Sequence, residues 1–298
     1  MRPISHRIMT VLAVAAVAGA TAWLVPASAT SDWQTARTAK YDLHYGPGRE
    51  ADAGLVKEFL DTAHAKIAEE FQAHRPTELL DGIQLDVYLH PKPGEMASEH
   101  QATMTSNLRR EGYKAAIHLL TPSSYRMASA GGSRDAKKDY VFRKVVHEVS
   151  AVYVQRLILG KPKGWRYDQA APWFLQGYDE YLSGIHSRRA QDRTLERYRK
   201  LIRQNPGRVR FEGSIQVRDP YQDGAVLVAF LHDSFGREAV QNIWLSPEDT
   251  FEKALTSALR TDYADLETRW RRWLDQTETR RSAGPGLQKE PDAPWTRR

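Results

Sequence analysis

Apolar residues recur at Leu55, Phe59, Leu60, Ala63, Ile67 and Phe71. This is the three-and-four spacing of one helical face, and it predicts a helix over residues 53–74. Before it, Tyr41 to Tyr45 alternates and runs into Gly46-Pro47-Gly48, a strand entering a turn. Ile83 to Pro91 alternates with period two and ends in a Pro-Lys-Pro-Gly loop, and Ala115 to Leu120 reads as a further strand. Ser129 to Lys138 reads as a flexible crossing. From there to Asp275 the pattern is helical with short loops. It includes a stripe of core anchors at Tyr263, Leu266, Trp270, Trp273 and Leu274. The tail from Gln276 to Arg298 has three prolines and no helical period, and reads as disordered. There is no internal repeat and no phosphate-binding glycine motif.

The run from Val145 to Leu159 departs from an amphipathic pattern. Its only polar residues are His147, Glu148, Ser150, Gln155 and Arg156, and Gly160 stops it. Such a helix is buried nearly all round. An acid inside it costs several kcal/mol unless paired or neutralised, so Glu148 needs a partner or a cleft. Downstream, Ala171 to Gly184 reads "APWFLQGYDEYLSG". Pro172 suits the first helical turn and Gly184 the C-terminal cap, which predicts a short helix between them.

Together these two segments resemble the peptidase MA-like families of gluzincins, the zinc peptidases with a His-Glu-x-x-His helix. Such a helix places two His one turn apart as zinc ligands, with the Glu as general base. Here His147 and Glu148 are present, but Ala151 stands at the second ligand position. The second segment is similar to the family's "WLxEGxAEYxSG" helix, matching at Trp173, Leu175, Gly177, Glu180, Tyr181, Ser183 and Gly184. The third zinc ligand of that helix is replaced by Gln176, a poor ligand. Gly177 matches the glycine that lets the helix approach its neighbour, and Glu180 the acid that orients a ligand His from behind. The order of strands and helices from Tyr41 to Leu274 follows the same families. The resemblance implies a cleft lined by Trp173 and Gly177, an edge strand at Ala115–Leu120 that pairs with an extended peptide, and a vestigial oxyanion residue at Tyr221. Asp179 and Glu180 offer substitute metal ligands.

Composition narrows the compartment. Residues 1–29 have Arg2 and Arg7 at the start, an apolar run from Ile8 to Val25, and Ala27-Ser28-Ala29 as a cleavage site, the three zones of a secretory signal. If the segment is not cut, it is the chain's one membrane anchor. There is no cysteine, so disulfides, a thiolate metal site and a cysteine nucleophile are excluded. The net charge of +6 falls to +4 without Arg2 and Arg7. That suits an anionic cell surface without singling out nucleic acid. The basic stretch from Arg188 to Arg210 has Arg189, Arg193, Arg197 and Lys200 at helical spacing with Asp192 and Glu196 among them, and reads as a solvated face. His90, His118 and His186 have no short-range ligand partner and read as surface or strand residues.

The expectation is an α+β, gluzincin-like fold. A signal peptide at 1–29 precedes a small sheet-and-helix lobe at 30–128, which packs on a mainly helical lobe at 129–275 across a cleft. The tail follows at 276–298. In function, the chain reads as an exported pseudo-metallopeptidase of the secreted or cell-envelope compartment. It holds an extended peptide, a protein or an anionic wall component, with no cofactor and no nucleic acid. One alternative is an active hydrolase that recruits a metal through His147 and Asp179 or Glu180, with zinc as the expected ion, or that works without metal. The other is a structural envelope protein whose cleft is closed.

Overall fold

The computed structural model describes residues 33–71, 83–92, 102–107, 113–125, 134–159, 163–184 and 188–282. The fold is mixed α+β, mainly helical with a small sheet. Strands β1 (Gln34–Arg37), β2 (Asp42–Tyr45), β3 (Ile83–His90), β4 (Ala102–Asn107) and β5 (Tyr113–Leu120) form one sheet in the order β1-β2-β3-β5-β4. The central strands β2, β3 and β5 are parallel, and β1 and β4 close the edges antiparallel. Helix α1 (Glu50–Glu70) links β2 to β3, the long crossover that a parallel pair requires.

Side-chain alternation divides the sheet into two faces. Leu43, Leu85, Val87, Leu89, Ile117 and Leu119 are buried on the face toward α1, whose stripe of Ala53, Val56, Phe59, Leu60, Ala63 and Ile67 meets them. Next in depth is α2 (Arg134–Leu159), which packs against α1, β4, β5 and the helix α3 (Pro172–Ser183). Being enclosed by so many elements, α2 is buried on every side from Val145 to Gln155, as the apolar run predicts. Pro172 opens α3 and Gly184 caps it, at the bounds read from the sequence.

The remaining elements are α4 (Arg188–Gln204), a hairpin of β6 (Val209–Phe211) and β7 (Ile215–Val217), α5 (Gln222–Phe235), α6 (Arg237–Leu245), α7 (Phe251–Leu259) and α8 (Tyr263–Ser282). The backbones of α3 and α5 cross closely. A Cβ on Gly177 would lie 2.6 Å from Gly224 Cα, so only glycine fits at the crossing. One continuous core runs from Tyr41 to Leu274, and the sheet part and the helical part share it.

Several expectations are corrected. Ala115–Leu120 is an interior strand with partners on both sides, so the edge belongs to β4, whose short polar sequence carries little strand signal. The region after Lys138 is not all helical: the β6–β7 hairpin interrupts it, turning at Gly213 with φ +71°. The crossing expected at Ser129–Lys138 is already helix from Arg134, and α8 continues to Ser282, past the expected tail boundary. The signal segment at 1–29, His186 and the tail from 283 lie outside the described residues. Among the described residues, no helix is long and apolar enough to cross a membrane.

Candidate functional site

Packing α2 on α3 brings the two sequence motifs together. His147 is 9% exposed, and its Nδ1 stands 4.0 Å from Glu180 Oε2, beyond hydrogen-bond reach. That nitrogen is buried with no hydrogen-bond partner among the described residues. One turn earlier on α2, Arg143 Nη2 donates to Glu180 Oε1 at 2.7 Å. The same guanidinium reaches Thr194 Oγ1 at 3.4 Å and Ser183 Oγ at 3.5 Å. Glu180 is therefore bonded to Arg143 and not to His147. Tyr221, at the start of α5, lies over the imidazole with ring centroids 5.9 Å apart and planes 22° apart.

Behind this group, Ser150 Oγ donates to Asp179 Oδ1 in a site closed to solvent. The electrostatics follow from depth. Burial, reinforced by Lys144 and Arg143 and opposed by the Gln176 amide, brings His147 down to about 3, so the ring is neutral at pH 7. Burial pushes the Glu148 carboxyl up to about 7 against the pull of Lys144. Asp179 is held well above the ordinary carboxylate range by burial, despite the Ser150 hydrogen bond, with Glu148 and Glu180 adding to the rise. The Tyr221 phenol is raised by burial first and then by Glu148 and Asp179.

A buried ion pair fixes the segment that carries Tyr221. Arg208 Nε donates to Asp223 Oδ1 at 2.8 Å, and Asp223 is fully buried. The other oxygen, Oδ2, accepts the Asp219 backbone N–H at 3.0 Å. Asp219 Oδ1 in turn accepts the backbone N–H groups of Tyr221 and Gln222, both at 3.0 Å. The chain is thus anchored on both sides of Tyr221.

The described donors do not fit a catalytic zinc, which requires three protein ligands and one open position. Ala151, at the second position, is a buried methyl group, and Asp179 is committed to Ser150. Glu180 is committed to a resident cation, whose charge opposes a second one nearby. Among the described residues, no group of three or more His, Asp or Glu converges as a metal site.

Two residues expected to line the cleft have other roles. Trp173 is 2% exposed and packs edge-to-face with Phe174 and Phe251, because the start of α3 is covered by α7. Gly177 is sealed by the backbone of Gly224. Sequence reading missed Arg143, Ser150, Arg208 and Asp223. The first carried a signal, since it lies four residues before His147 on the same helical face. Asp223 carried another, as an acid opening an apolar helix. His90 and His118 lie on strands, as the sequence suggests, and their ring nitrogens meet across β3 and β5, a long-range pairing that no local spacing reveals.

In comparisons with known proteins, no family model matches the chain and no curated protein matches it.

Proposed function

We propose that this chain is an exported pseudo-metallopeptidase, a gluzincin-like scaffold without catalytic zinc that binds an extended peptide or a segment of a protein beside the former metal helix. The observation that carries the reading is the Arg143–Glu180 ion pair next to His147. At the place where the resemblance expects an acid steadying a zinc ligand, the acid is neutralised from within the protein. The α2–α3 pairing, Gln176 and Ala151 agree with it. Strand β4 supplies the means of binding. It lies antiparallel at the sheet edge, packs against α2, and has no strand on its outer side among the described residues. An added peptide strand would take affinity from backbone hydrogen bonds and selectivity from side-chain pockets. An anionic wall component is the competing ligand, favoured by the net positive charge and by the exposed Arg193, Arg197 and Lys200 on α4.

The second reading, an active hydrolase, draws on Glu148. A carboxyl poised near neutrality can exchange a proton at pH 7, which is what a general acid or base requires.

The test is elemental analysis of protein purified without chelator, together with a fluorogenic peptide library screened for cleavage and for binding. The proposal expects peptide binding without cleavage and no zinc that depends on His147. One zinc per chain that disappears in His147→Ala, with cleavage that disappears in Glu148→Gln, overturns it.

A further inference from the structure

The sheet face turned away from α1 carries a second group of imidazoles. Pleat alternation places His44, Tyr88, His90 and His118 there. His44, Tyr88 and His118 occupy one register row across β2, β3 and β5. Their rings stack: His44 on Tyr88 at 4.6 Å and 17°, and Tyr88 on His118 at 5.1 Å and 12°. His44 is further held by Asp86 at 2.9 Å and Thr35 at 3.0 Å. His90, two residues after Tyr88, is 7% exposed and has the Trp33 indole edge-on at 5.6 Å. Its Nε2 lies 3.0 Å from His118 Nδ1.

Two imidazole nitrogens facing each other at that distance share either a proton or a metal ion. With metal–nitrogen bonds of about 2.0–2.1 Å, ligands at a right angle lie about 2.9 Å apart, and tetrahedral ones about 3.3 Å. The observed 3.0 Å is the length of an N–H···N hydrogen bond, and it puts both nitrogens within reach of one ion after a small turn of the rings.

We propose that His90 and His118 form a two-imidazole site for a divalent transition-metal ion of tetragonal preference, Cu2+ or Ni2+, with water in the remaining positions. Imidazole suits these ions, and Cu2+ stands highest in the affinity order. Both rings are carried on adjacent hydrogen-bonded strands and wedged by Tyr88 and Trp33, so little ordering remains for the ion to impose. Burial keeps both imidazoles neutral at pH 7, the form that ligates; His90 is brought to about 4, with His118 adding to the lowering. Binding needs no net loss of a proton. The ring that donates the N–H···N hydrogen bond moves its proton to its other nitrogen, and the two facing lone pairs then turn to the metal. Two protein ligands make an exchangeable site rather than a closed structural one.

CuCl2 is titrated into the exported chain (residues 30–298) at pH 7 with glycine as weak competitor, followed by electron paramagnetic resonance and tryptophan emission. The expected result is one Cu2+ per chain in a tetragonal spectrum with two equatorial nitrogens, and quenching of Trp33. His118→Gln keeps a hydrogen-bonding partner for His90 but removes the ligating nitrogen. It should weaken binding by more than the tenfold typical of a lost supporting contact and leave one nitrogen in the spectrum. Trp33→Phe should retain the copper and lose most of the quenching, and His147→Ala should change neither. Copper bound no more tightly by the parent chain than by His118→Gln, or copper lost in His147→Ala, overturns the assignment.

Discussion

Arg143 donates to Glu180 Oε1 at 2.7 Å, from a position one helical turn before His147. This pairing sets the terms for any attempt to rebuild a metal centre. Ala151→His with Gln176→Glu supplies the missing imidazole and carboxylate, and zinc binding should rise well above the parent, with each single variant intermediate. Adding Arg143→Met removes the nearby cation and frees Glu180, and should tighten zinc by a further factor of about ten or more, since a like charge close to the ion opposes its binding. The new imidazole costs about 1–3 kcal/mol in packing strain, so melting curves precede the zinc titrations. Equal affinity in the double and triple variants would show that Arg143 does not oppose the metal.

The crossing of α3 and α5 makes a sharper stability test. A methyl group on Gly177 meets Gly224 backbone, which cannot swing aside as a side chain would. Gly177→Ala should cost about 3 kcal/mol, at the upper end of overpacking penalties, despite the gain in helix propensity. Gly54, in α1, has open space around its added Cβ, and Gly54→Ala should stabilise by roughly 0.5–1 kcal/mol. Urea denaturation of the two variants should therefore give opposite signs.

Removing one side of the Arg208–Asp223 pair leaves an uncompensated buried charge. Asp223→Ala should destabilise by about 3–5 kcal/mol, because Arg208 is 9% exposed and loses its carboxylate. The variant should also free the loop that carries Tyr221, visible as faster exchange of the Tyr221 and Gln222 amide protons. Combining Asp223→Ala with Arg208→Met should recover part of the loss. No recovery would mean that the pair is not coupled as the geometry indicates.

Stability should fall as the pH drops from about 6.5 to 4. His64 is fully buried, stacks on Tyr41, and meets the Tyr153 hydroxyl at 3.2 Å. Burial, with Lys40 adding, lowers it from 6.5 to about 4. The unfolded chain thus binds more protons than the folded one across that window. The stability this ring contributes is present above pH 6.5 and lost as pH falls through 4, on the order of 3 kcal/mol. His64→Gln keeps a partner for Tyr153 and does not titrate, so its stability should fall less steeply with acid. A slope equal to that of the parent would place the acid sensitivity elsewhere.

The local pattern along the chain determined α1, β2, β3, β5 and the bounds of α3, because apolar spacing, Pro172 and Gly184 act within a few residues of themselves. It also determined that α2 is buried on all sides from Val145 to Gln155, since an apolar run with so few polar positions has no face to give to water. Tertiary structure decided which strand is the edge. β4 is polar and short, and it becomes a strand only because β5 offers it an unpaired ladder. Pairing rather than propensity also makes the β6–β7 hairpin, whose three-residue strands are too brief to show a period. The site divides in the same way. His147, Glu148, Gln176 and Glu180 are visible as residues at helical spacing, but their one-dimensional order does not say what each carboxylate bonds. That depends on which cation or hydroxyl a neighbouring helix presents within about 3 Å, the range over which hydrogen bonds form. Only the packing of α2 on α3 assigns Glu180 to Arg143 and Asp179 to Ser150, and only the parallel register of β3 and β5 sets His90 against His118.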